Sequence, residues 1–125
     1  MDEDFVEADL SHDDVVSKYR QASDIVNLAM KGVLSRCVPG ADVFEICSLG
    51  DKLVEAQCAK AFKAKKIHKG LAFPTCISVN DIVCHFSPMD ASESMTLADG
   101  DVVKVDMGAH LDGFIAVTAH TGLVT

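Results

Sequence analysis

The sequence predicts an α+β domain in which two helices lie on one side of an antiparallel or mixed sheet. Two stretches with apolar residues at helical spacing come first, and β-rich runs separated by turn residues follow them. A chain of 125 residues with 49% hydrophobic residues can bury one modest core. We therefore expect one domain, or part of one.

The N-terminal segment differs in composition from the rest of the chain. Residues 1–14 contain seven Asp or Glu and no Lys or Arg, so we expect a solvated, at least partly disordered leader before a domain over residues 15–125. Ser11, followed by acidic residues, is typical of a helix start, because its side chain can cap the first turn and the helix dipole favours acids there.

Two amphipathic helices are predicted next. The first runs to about Cys37 and stops at Pro39-Gly40. Asp42 opens the second helix, which extends to about Phe62. Gly50 weakens this helix slightly and suits close packing. The two helices should form a helical hairpin on one face of the sheet.

A basic cluster lies at the end of the second helix, in a chain whose formal net charge is −8. The overall charge argues against a general nucleic-acid-coating role, because phosphate binding depends on clustered Lys and Arg. The cluster itself has two interpretations: lysines that complement the negative end of the helix dipole, or a patch that contacts phosphate groups. Its members are Lys60, Lys63, Lys65, Lys66 and Lys69.

The second part of the chain is rich in strand-forming residues. Leu71–Val79 is the first predicted strand, and Pro74 confines it to a sheet edge or an irregular stretch. Ile82–Phe86 is the second, and residues 89–100 form a surface connection. The chain closes with a hairpin whose turn contains Asp112-Gly113.

Asp106 is the unusual residue of this hairpin, because it lies in the first strand between apolar neighbours. With a turn centred near Leu111-Asp112, Val117 faces Asp106, and a later centre shifts the partner only to Thr118 or Ala119. Two opposed aspartates would hold a pair of divalent metal ions, but none of these partners carries a carboxylate. A strand-end aspartate capped by backbone donors is the simpler interpretation.

The cysteine pattern indicates a reducing compartment. The five cysteines are odd in number, lack a C-x-x-C pair and mostly have apolar neighbours, so we expect buried, reduced thiols; the spacing gives little support to the alternative, a zinc site. No apolar run approaches the roughly 18 residues of a membrane span, and the acidic N-terminus is unlike a secretory signal. We therefore expect a non-secreted protein without membrane contact, with reduced Cys37, Cys47, Cys58, Cys76 and Cys84.

Several ordered sequence blocks resemble the type 2 methionine aminopeptidase superfamily, the pita-bread proteins of peptidase family M24. Within it they are most similar to the N-terminal portion of the non-peptidase branch, the proliferation-associated and ErbB-receptor-binding homologues. The basic helix end, the His-Phe-Ser-Pro tetrapeptide and the Asp-Gly-Phe-Ile-Ala run all favour that branch. The blocks are Gly70–Thr75, Ser78–Asn80, His85–Pro88, Gly100–His110 and Asp112–Ala116.

The resemblance implies the first half of a pita-bread fold with a vestigial metal site. In the peptidases of the superfamily, a histidine at the position of His85 contacts substrate and an aspartate at the position of Asp106 is the first ligand of a dinuclear metal centre. The second ligand, an aspartate eleven residues further on, falls on Val117. The remaining family ligands, a histidine and two glutamates, belong to sequence beyond residue 125. We therefore expect no metal, no cofactor and no peptidase activity.

The function that the resemblance implies is non-catalytic binding. The branch contacts RNA or ribonucleoprotein, including ribosomal particles, and sometimes DNA and regulatory proteins, in growth and translation control. In this chain the lysine cluster would contact phosphate, and the expected location is the cytoplasm and nucleus. A metal-dependent methionine aminopeptidase is the alternative. A third possibility is self-association through an open sheet edge, if the other half of the domain is not supplied.

Overall fold

The computed structural model describes residues 9–125, which form two helices and one three-stranded sheet. Helices α1 and α2 are followed by strands β1, β2 and β3, and the strand order is β1-β2-β3 with both pairs antiparallel. A short 3-10 turn, Ala91–Glu93, interrupts the connection from β1 to β2. The predicted α+β class is confirmed, with α1 at Asp13–Arg36, α2 at Val43–Lys60, β1 at Lys69–Val79, β2 at Val102–Leu111 and β3 at Phe114–Leu123.

The start of α1 differs from the prediction. Residues 1–8 of the expected acidic leader lie outside the described residues. The N-cap of α1 is His12, whose side chain makes no capping hydrogen bond. Ser11 instead donates its backbone N–H to Asp9 Oδ1, at 2.8 Å, and its hydroxyl bonds to the same oxygen. The predicted Ser11 cap is therefore wrong, because a local turn with Asp9 uses that side chain.

The bounds of α2 are confirmed at its start and corrected at its end. The Asp42 carboxylate accepts the Glu45 N–H at 3.0 Å, as expected of an N-cap. The helix ends at Lys60 rather than near Phe62, because Ala61 is extended and Phe62 has a φ of 51°. Lys69 Nζ then donates to the Ala61 carbonyl at 2.7 Å, which ties the start of β1 to the end of the helix.

The core lies between the two helices and one face of the sheet. In β2 the odd-numbered residues are buried against the helices, while Lys104, Asp106 and His110 lie on the other face at intermediate exposure. Gly50 allows α2 to approach β1, since a Cβ at this position would lie 2.6 Å from Thr75 Oγ1. The prediction of close packing at Gly50 is confirmed.

Strand β1 is an edge strand with an irregular register, as Pro74 predicts. Its pairing with β2 shifts between Leu71 and Phe73 and again between Phe73 and Cys76. At this irregularity Thr75 N–H donates to Asp51 Oδ1 of α2 at 2.8 Å instead of to another strand. A helix carboxylate thus satisfies a backbone donor at the bulge.

The predicted second strand, Ile82–Phe86, does not form. Its contact with β1 consists of the Ile77 N–H bonding to the Phe86 carbonyl at 2.9 Å, and of the Phe86 N–H donating to Ser78 Oγ at 3.1 Å. His85 has a φ of 63°, which turns the chain out of the extended conformation. The segment is therefore a loop that lies beside the β1 edge, and β2 follows β1 in the sheet.

The closing hairpin has the predicted two-residue turn. Asp112 and Gly113 both have positive φ, 58° and 83°, which is the conformation of a type I′ turn. The turn is centred between these two residues, so that Leu111 pairs with Phe114. The register of the whole hairpin follows from this centre.

A buried lysine ties the hairpin turn to α1. Lys18 is 5% exposed, and its Nζ donates to Asp112 Oδ2 at 2.9 Å and to Asp14 Oδ2 at 3.3 Å. The ammonium also lies 5.7 Å from the centre of the Phe114 ring. The hydrogen bond to Asp112 raises the pKa of Lys18 above its ordinary value of 10.5, against the opposing effect of burial.

We predict that Asp112→Asn lowers the free energy of unfolding by about 1–3 kcal/mol, because it leaves the Lys18 ammonium buried with Asp14 as its remaining partner. Asn-Gly is itself a favoured type I′ sequence, so the loss would come from the charge and not from the turn. Chemical denaturation measures this effect.

The control is the double variant Lys18→Met/Asp112→Asn, which removes both charges and should recover most of the loss. Because the pKa of Lys18 is raised in the folded state, the wild type should exceed Asp112→Asn in free energy of unfolding by the full amount below pH 10.5. This difference should disappear as the pH rises further. Equal stability of the wild type and the Asp112→Asn variant at neutral pH would contradict the prediction.

Candidate functional site

The structure brings His85 and Asp106 to the same cavity. This cavity, of about 270 Å³, lies between the loop after β1 and the strands of the hairpin. Asn80 positions the start of the loop, because its side chain accepts the Val102 N–H at 3.0 Å. The residues that line the cavity are Ser78, Val83, Cys84, His85, Lys104, Val105, Asp106, Ala119, His120 and Thr121.

The partner of Asp106 across the hairpin is Ala119, not Val117. Val117 pairs with Gly108 instead, because the turn is centred between Asp112 and Gly113 rather than near Leu111-Asp112. Ala119 is the partner expected for the latest of the possible turn centres. Val117 still lies on the same sheet face as Asp106, as its diagonal neighbour, and it is 63% exposed.

The Asp106 carboxylate lacks the hydrogen bonds from residues 9–125 that an aspartate with a purely structural role would accept. It has intermediate exposure and accepts no hydrogen bond from the described residues. The prediction that backbone donors cap it is therefore wrong. Its charge, after burial itself, helps to raise the pKa of the neighbouring Cys76 thiol.

The residues around Asp106 do not fit a pair of metal ions. Its same-face neighbours across the hairpin, Ala119 and Val117, present methyl and isopropyl groups, which cannot coordinate a metal. Within residues 9–125 no three or more His, Cys, Asp or Glu side chains are grouped so as to hold a metal ion.

The cavity also contains residues whose position was not predicted. His120 lies beside Ala119 and pairs with Val105. The hairpin register assigns the His120 side chain to the sheet face opposite Asp106, so the turn signal alone could not have identified it as a residue of the cavity. Cys84 is exposed, which corrects the expectation of five buried thiols; the other four are buried.

The lysine cluster is divided by the structure into two groups. Lys69 is bound to the Ala61 carbonyl, and Lys65 Nζ lies 5.9 Å from the centre of the Phe62 ring. The other three side chains are exposed and make no ion pair or hydrogen bond with a described residue. These three, Lys60, Lys63 and Lys66, are the lysines available for an external ligand.

The lysine cluster and the cavity are separate sites. Lys69 pairs with Leu111 at the turn end of β2, whereas Asp106 lies five residues along that strand. Five residues of strand span about 17 Å. Lys60 instead borders a second groove, of about 240 Å³, which lies between α1 and α2 and is lined by Gln21, Asp24, Ile25, Gln57, Lys60 and Ala61.

The fold is that of the pita-bread proteins. The structure of a methionine aminopeptidase from Thermotoga maritima matches 94% of this chain, with a TM-score of 0.72 and 24% identity, and the chain covers 45% of that structure. The structure of a thermophilic Arx1 matches 91% of the chain, with a TM-score of 0.86 and 32% identity, and the chain covers 32% of it.

The sequence defines the family. The model of metallopeptidase family M24 matches residues 17–125, so this chain belongs to that family. ERBB-3 binding protein 1 of Solanum tuberosum is 50% identical over 117 residues, which are 92% of this chain and 30% of that protein. Proliferation-associated protein A of Dictyostelium discoideum is 53% identical over 117 residues, 93% of this chain and 30% of that protein.

A further relative carries a nucleic-acid-binding name. The curved DNA-binding protein of Schizosaccharomyces pombe is 39% identical over 122 residues, which are 96% of this chain and 32% of that protein. The chain therefore spans about 30% of the length of the curated relatives named here. These similarities confirm the expected resemblance to the proliferation-associated and ErbB-receptor-binding branch.

We predict that a maleimide labels one thiol of the native protein, at Cys84, and five thiols after unfolding. Burial keeps the other thiols inaccessible and raises the pKa of Cys47 to about 12, so its reactive thiolate is scarce. Mass spectrometry of the labelled protein measures the stoichiometry. Native labelling that persists in Cys84→Ser would contradict the prediction.

We also predict that the wild-type chain shows no heat of binding with Co²⁺ or Mn²⁺, whereas Val117→Asp gains weak affinity. The variant would place a second carboxylate on the same sheet face, diagonal to Asp106. Isothermal titration calorimetry is the measurement. The control Val117→Asp/Asp106→Asn should lose the gained affinity, and tight binding by the wild type would contradict our interpretation of Val117.

Proposed function

We propose that this protein is a non-catalytic member of the M24 family that binds RNA or ribonucleoprotein particles, including ribosomal particles, through Lys60, Lys63 and Lys66. The observation that carries the proposal is that these three side chains are not engaged by other groups of residues 9–125. They are exposed, close in sequence and without an ion-pair partner among residues 9–125.

The charge distribution supports an external anionic ligand. In a chain with net charge −8, carboxylates are abundant, yet none forms an ion pair with the three lysines within residues 9–125. A local basic patch on an acidic protein attracts phosphate groups at short range while the overall charge limits non-specific coating. Lysines act as point charges, so they provide affinity and orientation rather than sequence specificity.

The lack of a second carboxylate beside Asp106 on the hairpin supports the proposed absence of catalysis. A two-metal hydrolytic site needs carboxylates that hold both ions, and the hairpin offers Asp106 beside Ala119 and Val117. Among residues 9–125, no base or hydrogen-bond acceptor is bonded to the His85 side chain. The described residues therefore supply no group that would activate it. We propose that both residues are vestiges of a peptidase site.

The names of two relatives support the proposal that DNA and regulatory proteins are among the partners. One is called a curved DNA-binding protein and another an ERBB-3 binding protein. We extend these to the proposal that DNA is a secondary ligand and that regulatory proteins bind as well. No helix among the described residues is long and apolar enough to cross a membrane. We propose that the protein acts in the cytoplasm and the nucleus, where such partners occur.

The second candidate function is metal-dependent methionine aminopeptidase activity. The observation that favours it is the shared cavity of His85 and Asp106. It would require metal ligands from other residues, because the hairpin supplies one carboxylate. Release of methionine from a test peptide in the presence of Co²⁺ or Mn²⁺ would support this function and overturn the non-catalytic proposal.

The test of RNA binding is fluorescence anisotropy with single-stranded RNA at several salt concentrations. Reversal of Lys60, Lys63 and Lys66 to Glu should weaken binding by tenfold or more at low salt. It should also reduce the slope of log affinity against log salt by about 0.7 for each phosphate that a lysine no longer neutralises, or roughly two in total. Duplex DNA, tested in parallel, ranks the two nucleic acids.

The matched control reverses three exposed basic residues outside the cluster, Arg20, Arg36 and Lys52, and so changes the net charge equally. It should bind RNA more tightly than the cluster variant, because only long-range attraction is reduced. Equal effects of the two triple variants, or unchanged binding by the cluster variant, would eliminate the lysine cluster as the site.

A further inference from the structure

The groove between α1 and α2 combines charges of both signs with two amides. Each helix lines it with a series of residues three and four positions apart, which share one side of a helix. In both series the first residue is Gln, the second is charged and the third is apolar. The series are Gln21, Asp24 and Ile25 on α1, and Gln57, Lys60 and Ala61 on α2.

The polar groups of this groove are available to a ligand. The Asp24 carboxylate and the Gln57 side-chain amide make no hydrogen bond within residues 9–125, and Asp24 forms no ion pair there with Lys60. Gln21 Nε2 donates to Ser17 Oγ at 3.2 Å, which leaves Gln21 Oε1 as an acceptor. The groove therefore presents a carboxylate, two amides and one ammonium group.

The mixed charge of the groove disfavours a simple ion. Lys60 would repel a cation, and Asp24 would repel a lone anion. A ligand that suits both must offer hydrogen-bond donors to the carboxylate and an anionic group to the ammonium. Lys63 and Lys66 follow Lys60 after the end of α2 and are exposed. This additional positive charge favours a ligand with several phosphates over a single small molecule.

We propose that the α1–α2 groove binds one unstacked guanine base of an RNA strand, with Lys60 on the adjacent phosphate. The inference rests on the proposed RNA binding by Lys60, Lys63 and Lys66. Proteins read single-stranded RNA by hydrogen bonds to the Watson–Crick edge of bases that leave the stack. The groove, of about 240 Å³, is smaller than the pockets of about 300–1,000 Å³ that hold drug-sized ligands, so it suits one base.

The hydrogen-bonding groups of the groove select guanine among the four bases. The Watson–Crick edge of guanine has two adjacent donors, N1–H and the N2 amino group, and then the O6 acceptor. Asp24 can accept both donors with its two oxygens, and Gln57 Nε2 can donate to O6. Adenine, cytosine and uracil each have an acceptor next to their donor. That acceptor would face a carboxylate oxygen without a proton between them, which is unfavourable.

The apolar residues of the groove suit the face of a base. Ile25 is 8% exposed, and Ala61 lies across from it on the other helix. An apolar surface with a few polar groups is typical of small-ligand pockets. Aromatic stacking would add affinity, but the described residues that line the groove include no aromatic ring. We therefore expect the base to supply specificity and the phosphates to supply most of the affinity.

Fluorescence anisotropy with short oligouridine RNAs tests the base preference. An RNA with one central guanosine should bind about tenfold more tightly than the same RNA with adenosine there. Inosine lacks the N2 amino group and should lose much of this gain, whereas 7-deazaguanosine keeps the whole Watson–Crick edge and should retain it. Equal binding of the guanosine and adenosine RNAs, both weakened by reversal of the three lysines, would overturn this inference and leave the proposed function intact.

Asp24→Asn tests the contact with the base, because it replaces one acceptor oxygen by a donor. The variant should lose the preference for guanosine over adenosine, while RNA without guanosine should bind slightly more tightly because a negative charge is removed. The matched control, Glu55→Gln, removes the same charge at an exposed position of α2 outside the groove and should keep the preference. Circular dichroism verifies that both variants are folded. Preference retained by Asp24→Asn, or lost by the control, would contradict the inference.

Free nucleotides separate the guanine site from the proposed function. In NMR spectra of the wild-type chain, guanosine monophosphate should shift the side-chain amide signals of Gln21 and Gln57, and adenosine monophosphate should not. Guanosine-specific shifts in a protein that binds no RNA would support the guanine site and overturn the proposed function. Equal effects of the two nucleotides on these signals would overturn the guanine site.

Discussion

The register of the β2–β3 hairpin governs how the other elements are arranged. Its turn needs two residues with positive φ, which Asp112 and Gly113 supply, and the register that follows decides which side chains share each face. Lys18, which is buried, joins this turn to α1 through an ion pair with the exposed Asp112, across 94 residues of sequence separation. A change in the turn centre by half a residue, which slips the pairing by one residue, would move every side chain of β3 to the other face.

That register separates the molecule into two surfaces with different chemistry. The face under the helices is a continuous apolar core, since residues such as Val105 and Met107 are fully buried. The opposite face carries Asp106 beside Ala119, and the exposed apolar residues of β3. The resemblance to the family assigns a metal ligand to the position of Val117, and an isopropyl group cannot coordinate a metal. The proposed binding role is consistent with the use of one fold for different functions.

The elements that were predicted correctly depend on local signals. Helical periodicity identified both helices, and Asp42 caps the second because its carboxylate bonds three residues ahead in the chain. Pro74 identified an edge strand because proline cannot donate to a ladder. The prediction of a strand at Ile82–Phe86 was wrong, although its composition is that of a strand. The positive φ of His85 and the Ser78 hydroxyl direct this segment into a loop.

Residue types and their spacing along the chain were enough to predict the fold class, the helix pair and the position of the turn. Three-dimensional packing was needed to show that Ala119 faces Asp106, that His120 and Cys84 join His85 around one cavity, and that two of the five clustered lysines are engaged internally. These facts depend on register and on contacts between residues distant in sequence. Local propensity does not encode such contacts, since they arise only when the helices and the hairpin pack together.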